Sequence, residues 1–170
     1  AKEIDASKTP EYIVSLVQQD YTRWNEVCLL YCGLSTKASN VVEHLVDYNP
    51  EIAAHCLAEG ESVGTFLATR VCEALQTRLA NNSDIDPTIR SLATLAADQS
   101  RSWSNSAYDL LINLLRQTSD ETVLLEVLSA LAQVPTVAAA NELAQALRSK
   151  ETRSVARQAL SELGAIGLPA

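Results

Sequence analysis

Methionine is absent from these 170 residues, and phenylalanine occurs once. A Met-free interior over this length is uncommon, so the sequence reads as a piece cut from a longer polypeptide. Glycine and proline number five each, too few for a collagenous or low-complexity chain. With 47% hydrophobic residues the composition is that of a globular domain rather than a disordered tail. No apolar run approaches the roughly 18 residues a membrane helix needs, and no signal-peptide pattern opens the chain. Positive charge is scarce: 13 Lys and Arg face 21 Asp and Glu, a net charge of −8. That balance argues against nucleic acid or an anionic membrane as the partner. Four cysteines in a chain of this length do not make a disulfide framework. Cys28, Cys32, Cys56 and Cys72 lie in apolar helical stretches, where a free thiol packs as a small hydrophobe, and a reducing cytoplasm suits them.

Strand signals are missing as well. No stretch alternates apolar and polar residues for long, and nearly every segment carries the helical period. Helix starts are marked by Thr9-Pro10, Asn49-Pro50 and Asp86-Pro87, each a capping side chain before a proline at the first helical position. Thr118-Ser119-Asp120-Glu121 reads as a capping box ahead of Val123. These marks predict about ten helices, near 9–19, 22–34, 37–48, 50–59, 63–80, 87–98, 103–117, 121–133, 136–148 and 152–163. Connections this short force neighbouring helices to fold back antiparallel.

The helices repeat. Segments starting near 22, 50, 87, 121 and 152 act as first helices of pairs, and the later ones share an Ala/Leu pattern such as Leu124-Leu125-Glu126-Val127-Leu128 and Val155-Ala156-Arg157-Gln158-Ala159-Leu160. Second helices share another, Leu110-Leu111-Ile112-Asn113-Leu114-Leu115-Arg116 and Leu143-Ala144-Gln145-Ala146-Leu147-Arg148. One hairpin cannot bury its apolar stripe alone, so hairpins stack. The expected fold is all-α, an α–α superhelix of the HEAT/armadillo-like solenoid kind with four to five hairpins. Leu111 and Leu128 belong to its buried faces.

From Asp86 onward the pattern resembles HEAT repeats and the related PBS-lyase-type HEAT-like repeats. Val155 to Gly167 resembles the first helix of such a repeat with its Gly-rich turn, after which Leu168-Pro169-Ala170 would open a second helix. In the N-terminal third, Tyr21-Thr22-Arg23-Trp24-Asn25-Glu26-Val27-Cys28-Leu29-Leu30 resembles the W-x-E-V-x-L-L segment that follows the ATPase module of bacterial NACHT-type signal-transduction ATPases. Asn49-Pro50-Glu51-Ile52-Ala53-Ala54-His55-Cys56-Leu57-Ala58-Glu59 is similar to that family's P-x-x-A-A-x-C-L-A-E helix. The resemblance implies one helical repeat domain over 1–170, with NACHT-associated hairpins in 1–80 and HEAT-like repeats in 81–170. It places Trp24 in the core of a hairpin and the ATPase upstream of Ala1.

No chemistry of its own is legible in the chain. None of Gly33, Gly60, Gly64, Gly164 and Gly167 precedes a Lys, so no phosphate-binding loop is present. Cys28 and Cys32 stand four apart on one helix face, and His55-Cys56 lie on a neighbouring helix. The spacing is not that of a zinc finger or ribbon, however, and flanking leucines favour buried packing. His44 lies in a polar stripe with Asn40 and Asp47, and His55 reads as packed or half-buried. No serine sits in a nucleophile-elbow context and no Cys–His pair has a catalytic spacing. The expectation is therefore no catalytic residue, no metal and no cofactor.

Recognition is the remaining role. Residues 1–61 hold ten acidic and four basic side chains, an acidic third able to dock on a basic partner or on the chain's own ATPase module. Second helices of a solenoid line its concave face, where such proteins grip their targets. Outside the apolar stripe that face offers Glu43, Asp47, Arg70, Glu73, Asp109, Asn113, Arg116, Asn141, Gln145 and Arg148. Trp103 is expected to pack across its hairpin. Taken with the resemblance, the sequence points to a cytoplasmic, non-catalytic protein–protein interaction, sensor or scaffold module of a NACHT-type ATPase. The alternative is a free-standing HEAT-like protein related to the lyases and chaperones that handle phycobilisome bilins.

Overall fold

The computed structural model describes residues 9–61, 63–81 and 83–166. Among them the chain forms ten α-helices and no strand: α1 Pro10–Gln19, α2 Tyr21–Leu34, α3 Ala38–Leu45, α4 Pro50–Glu59, α5 Thr65–Ala80, α6 Ile85–Ala97, α7 Ser104–Gln117, α8 Glu121–Leu131, α9 Val137–Ala146 and α10 Arg153–Ile166. None of these helices is long and apolar enough to cross a membrane. The chain divides into two compact units, Ala1–Thr77 and Arg78–Ala170, with the boundary inside α5.

In the first unit, α1 packs on α2 and α3, while α2 packs on α3 and α4, and α3 packs on α4. Side-chain caps start α2 and α4. The Asp20 carboxylate accepts from the Arg23 amide at 3.2 Å and opens α2, and the Asn49 side chain accepts from the Ile52 amide at 3.0 Å ahead of Pro50. Short α3 buries Ala38, Val41, Val42 and Leu45, the i, i+3, i+4, i+7 stripe of an amphipathic helix. It stops at Leu45 rather than running to 48 because residues 46–48 tighten into a turn that delivers Asn49 to its capping position.

The second unit is a stack of hairpins. α6 packs on α7, α8 on α9, and α9 on α10, while α6, α8 and α10 contact one another in sequence. First helices thus form one layer, as an α–α superhelix requires. Ile89, Leu92, Leu95, Leu111, Val127, Leu128, Leu131, Leu143 and Leu163 fill the core at 0–1% exposure. Trp103 packs inward at the start of α7, with the Arg101 guanidinium over its ring.

Three local readings of the sequence are corrected here. Helix α6 begins at Ile85, not after Asp86, because Asp84 takes the cap position in the left-handed region (φ 50°). Pro87 then sits in the first turn, whose amides have no partner within the helix, so its missing N–H costs nothing. Asp120, rather than a Thr/Glu capping box, starts α8: its carboxylate accepts from the amides of Thr122 (2.8 Å) and Val123 (3.4 Å). Finally, Gly164 is not a turn, since α10 runs through it to Ile166. The suggested helix start at Leu168-Pro169-Ala170 lies outside the described residues.

Gly164 lies inside a helix, and a methyl group added there meets nothing within 4 Å. Gly164→Ala is therefore expected to stabilise the chain by about 0.5–1 kcal/mol, the conformational entropy a helical glycine forfeits. Urea denaturation followed by circular dichroism checks this. A loss of stability would mean that α10 ends before residue 164.

Candidate functional site: a groove and a thiol cluster on the second and fourth helices

Helix α2 is apolar around much of its circumference. Cys28, Tyr31 and Cys32 face inward, whereas Leu30 and Leu34 stand 58% and 85% exposed. The second pair lies on the same side as Leu29, which is half-buried. Together with Gly33 they line a groove of about 520 Å³, with Glu26 at one rim and Glu59 of α4 at the other. Gly33 keeps it open. A Cβ there would come within 3.6 Å of the Glu59 carboxylate, so any larger side chain would fill the space. The groove joins an apolar floor to two exposed carboxylates, with no basic residue among those lining it.

On the inner side of the same helix pair, α2 and α4 bring three thiols together. The sulfurs of Cys28, Cys32 and Cys56 all lie within 4.8 Å of one another, and Cys28 Sγ stands 3.6 Å from Cys56 Sγ. All three are free thiols with 0–1% exposure. Hydrogen bonding with Cys32, and then with Cys56, lowers the Cys28 thiol against the opposing effect of burial. Hydrogen bonding with Cys28 raises the other two, with burial adding to the effect, and Glu59 raises Cys32 further. Cys72 stands apart as a solitary thiol, pushed up to about 11 by burial and by Glu73. His55 precedes Cys56 but does not join the sulfur group; burial lowers its pKa, opposed by Glu59 and Glu51.

The ten residues proposed for a concave face are all solvent-accessible and fall in both units. Glu43 on α3 and Asp47 just past it are exposed, as is Glu73 on α5, while Arg70 of α5 is half-buried in an ion pair with Asp47 at 3.2 Å. In the second unit Asp109, Asn113 and Arg116 are exposed along α7, and Asn141 and Gln145 along α9, with Arg148 beyond its end. Arg116 pairs with Glu142 at 3.1 Å, tying α7 to α9. Two of the three arginines are thus engaged within the fold. His44 donates from Nδ1 to the Asn40 carbonyl at 2.7 Å, a bond within its own helix. A second depression, of about 420 Å³, lies between Leu79, Ile85, Leu114 and Val123. Its one ionisable group, Asp120, is committed to capping α8.

The groove is not legible in the sequence, which puts Cys28 and Cys32 on one helix face with His55-Cys56 on a neighbouring helix but favours buried packing over a site there. Trp24, expected in the core, is half-buried under the Arg23 guanidinium, so the anchors of α2 are Tyr31 and the cysteines instead. One signal was available: Val27-Cys28-Leu29-Leu30-Tyr31-Cys32-Gly33-Leu34 places apolar residues on every side of a helix, more than one neighbouring face can cover. Comparison of the chain with known protein families, curated proteins and solved structures gave no match.

Proposed function

We propose that this chain is a non-catalytic protein–protein interaction module, the sensor or scaffold part of a NACHT-type signalling ATPase in the bacterial cytoplasm. The observation that carries the interaction reading is the groove on α2. Leu34 and Leu30 present apolar surface to solvent beside Glu26 and Glu59, and exposed leucines grouped at a groove mark a docking site. The chemistry of the rim defines the partner: a segment that inserts two apolar side chains and places Lys or Arg against the two carboxylates. The assignment to an ATPase rests on the resemblance of residues 21–34 and 49–59, and these same segments, as α2 and α4, line the groove.

Selection of a displayed peptide library on the full chain tests the docking surface. Enriched peptides are expected to pair apolar anchors with basic residues, and Leu34→Asp should weaken them by roughly 10-fold or more, the cost of burying a charge at an apolar contact. Peptides that bind the Leu34→Asp chain as tightly as the original would remove the groove from consideration. The ATPase assignment has a separate test in the native transcript, where a G-x-x-x-x-G-K-[ST] loop is expected upstream of this segment.

A further inference from the structure

We propose that Cys28, Cys32 and Cys56 form a binding site for a trivalent thiophilic metalloid ion of the arsenic(III) type, held by three thiolates and nothing else. The inference is independent of the groove and its partner. It follows from the kind, number and charge of the ligands the fold gathers.

All three donors are sulfur, which selects soft ions over magnesium, calcium or manganese. Among the described residues no histidine or carboxylate joins them as a fourth ligand. Zinc in a structural site closes a tetrahedron, and here the fourth corner would need a water molecule in a place where the sulfurs are 0–1% exposed. The site thus suits an ion satisfied by three bonds. Charge then decides between such ions. Three thiolates carry three negative charges, so copper(I) would leave two uncompensated, a divalent ion one, and a trivalent ion none. An uncompensated charge is costly in an apolar interior. Glu59 acts electrostatically on Cys32, and its negative charge makes a net negative complex worse.

The geometry is nearly prepared. Metal–sulfur bonds of about 2.3 Å place the sulfurs of a shared ion roughly 3.5–4 Å apart. Cys28 and Cys56 already stand at 3.6 Å, and no sulfur pair exceeds 4.8 Å. Helix α2 supplies two sulfurs at i and i+4 on one face, and α4 supplies the third, so closing the site needs only small side-chain adjustments. Loading exchanges ligands without oxidation or reduction. Arsenous acid, As(OH)₃, and three thiols give one As(S–Cys)₃ centre and three waters; three S–H and three As–O bonds break, while three As–S and three O–H bonds form. Because the sulfurs are sealed between α2 and α4, uptake waits on local opening of that helix pair.

The test uses the full, reduced chain and sodium arsenite. Expected are one arsenic per chain by native mass spectrometry, a sulfur-to-arsenic charge-transfer band in the near ultraviolet, and loss of three of the four reactive thiols counted after rapid unfolding. Cys72→Ala should bind as the original chain does. Cys56→Ala should bind roughly 100-fold more weakly, since the third bond forms at high effective concentration. Arsenite should also raise the melting temperature of the original chain and of Cys72→Ala, because an ion that binds the folded state stabilises it. The melting shift of the original chain decides the matter even if Cys56→Ala fails to fold. Absence of the band with all four thiols reactive would overturn the proposal, as would a requirement for Cys72. Tighter binding of zinc would overturn the three-coordinate argument, and tighter binding of copper(I) the argument from charge.

Discussion

Leu128→Ala is expected to lower the unfolding free energy by about 3–5 kcal/mol, the upper part of the range for truncating a buried leucine. The reason is its position. Leu128 is fully buried on α8, and α8 is in contact with α6, α7, α9 and α10, the other helices lying wholly within the second unit. A cavity at such a junction is walled by several elements, and no single side chain can relax to close it, so both the transfer and the cavity costs are felt. Leu111 is equally buried but sits on α7, which contacts α6 and α8, so Leu111→Ala is expected to lose less, about 2–4 kcal/mol. Leu125, half-buried on the same helix as Leu128, is expected to lose the least of the three. Urea denaturation of the three variants checks the order. If Leu128→Ala unfolded at the midpoint of the original chain, α8 would not be the centre of the second unit.

Much of this order was legible in the sequence, because helix formation and apolar stripes are local properties. Asn49-Pro50 announces α4 correctly, since a capping side chain and a preset proline φ act within one turn. Where a start was misplaced, the cause was also local but conformational: nothing in Ser83-Asp84-Ile85-Asp86-Pro87 says that Asp84 adopts a positive φ and takes the cap role from Asp86. The candidate site was less legible. Cys28 and Cys32 are visibly on one face, but Cys56 comes 28 positions after Cys28, and only the packing of α2 on α4 closes that distance. Leu30 and Leu34, among the flanking leucines expected to pack inward, are exposed instead, for a related reason. A helix apolar around most of its circumference carries no amphipathic signal to show which side is left open. The polar residues of the expected concave face follow from subtracting an apolar stripe. Subtraction identifies exposed side chains and leaves out pairings such as Arg70 with Asp47 and Arg116 with Glu142.

Gly60→Ala is expected to destabilise the chain by about 1–3 kcal/mol, the usual cost of forcing a methyl group into a filled core. Backbone conformation is not the cause, since Gly60 has φ −78°, open to any residue. Space is. An added Cβ would stand 2.8 Å from the Ala38 Cβ, 2.9 Å from Val63 Cγ2 and 3.2 Å from the Cys56 carbonyl oxygen. The Ala38 methyl and the Cys56 backbone are held by the helices that carry them, so neither can swing aside as a long side chain would. Gly64→Ala is the matched control: a Cβ there meets nothing within 4 Å, and the change is expected to be neutral or slightly stabilising. Adding Ala38→Gly to Gly60→Ala removes the closest clash. The pair should therefore lose less than the sum of its parts, a coupling that a double-mutant cycle in urea measures directly. Additive losses would mean that the end of α4 does not bear on the start of α3. The contact matters to the site as well as to the fold. Gly60 follows Glu59, the rim of the groove, and its amide closes the last turn of α4 on the carbonyl of Cys56, the third thiol. A methyl group that displaces this turn should weaken peptide capture at Glu59 and arsenite uptake at Cys56 together, whereas Gly64→Ala should leave both intact.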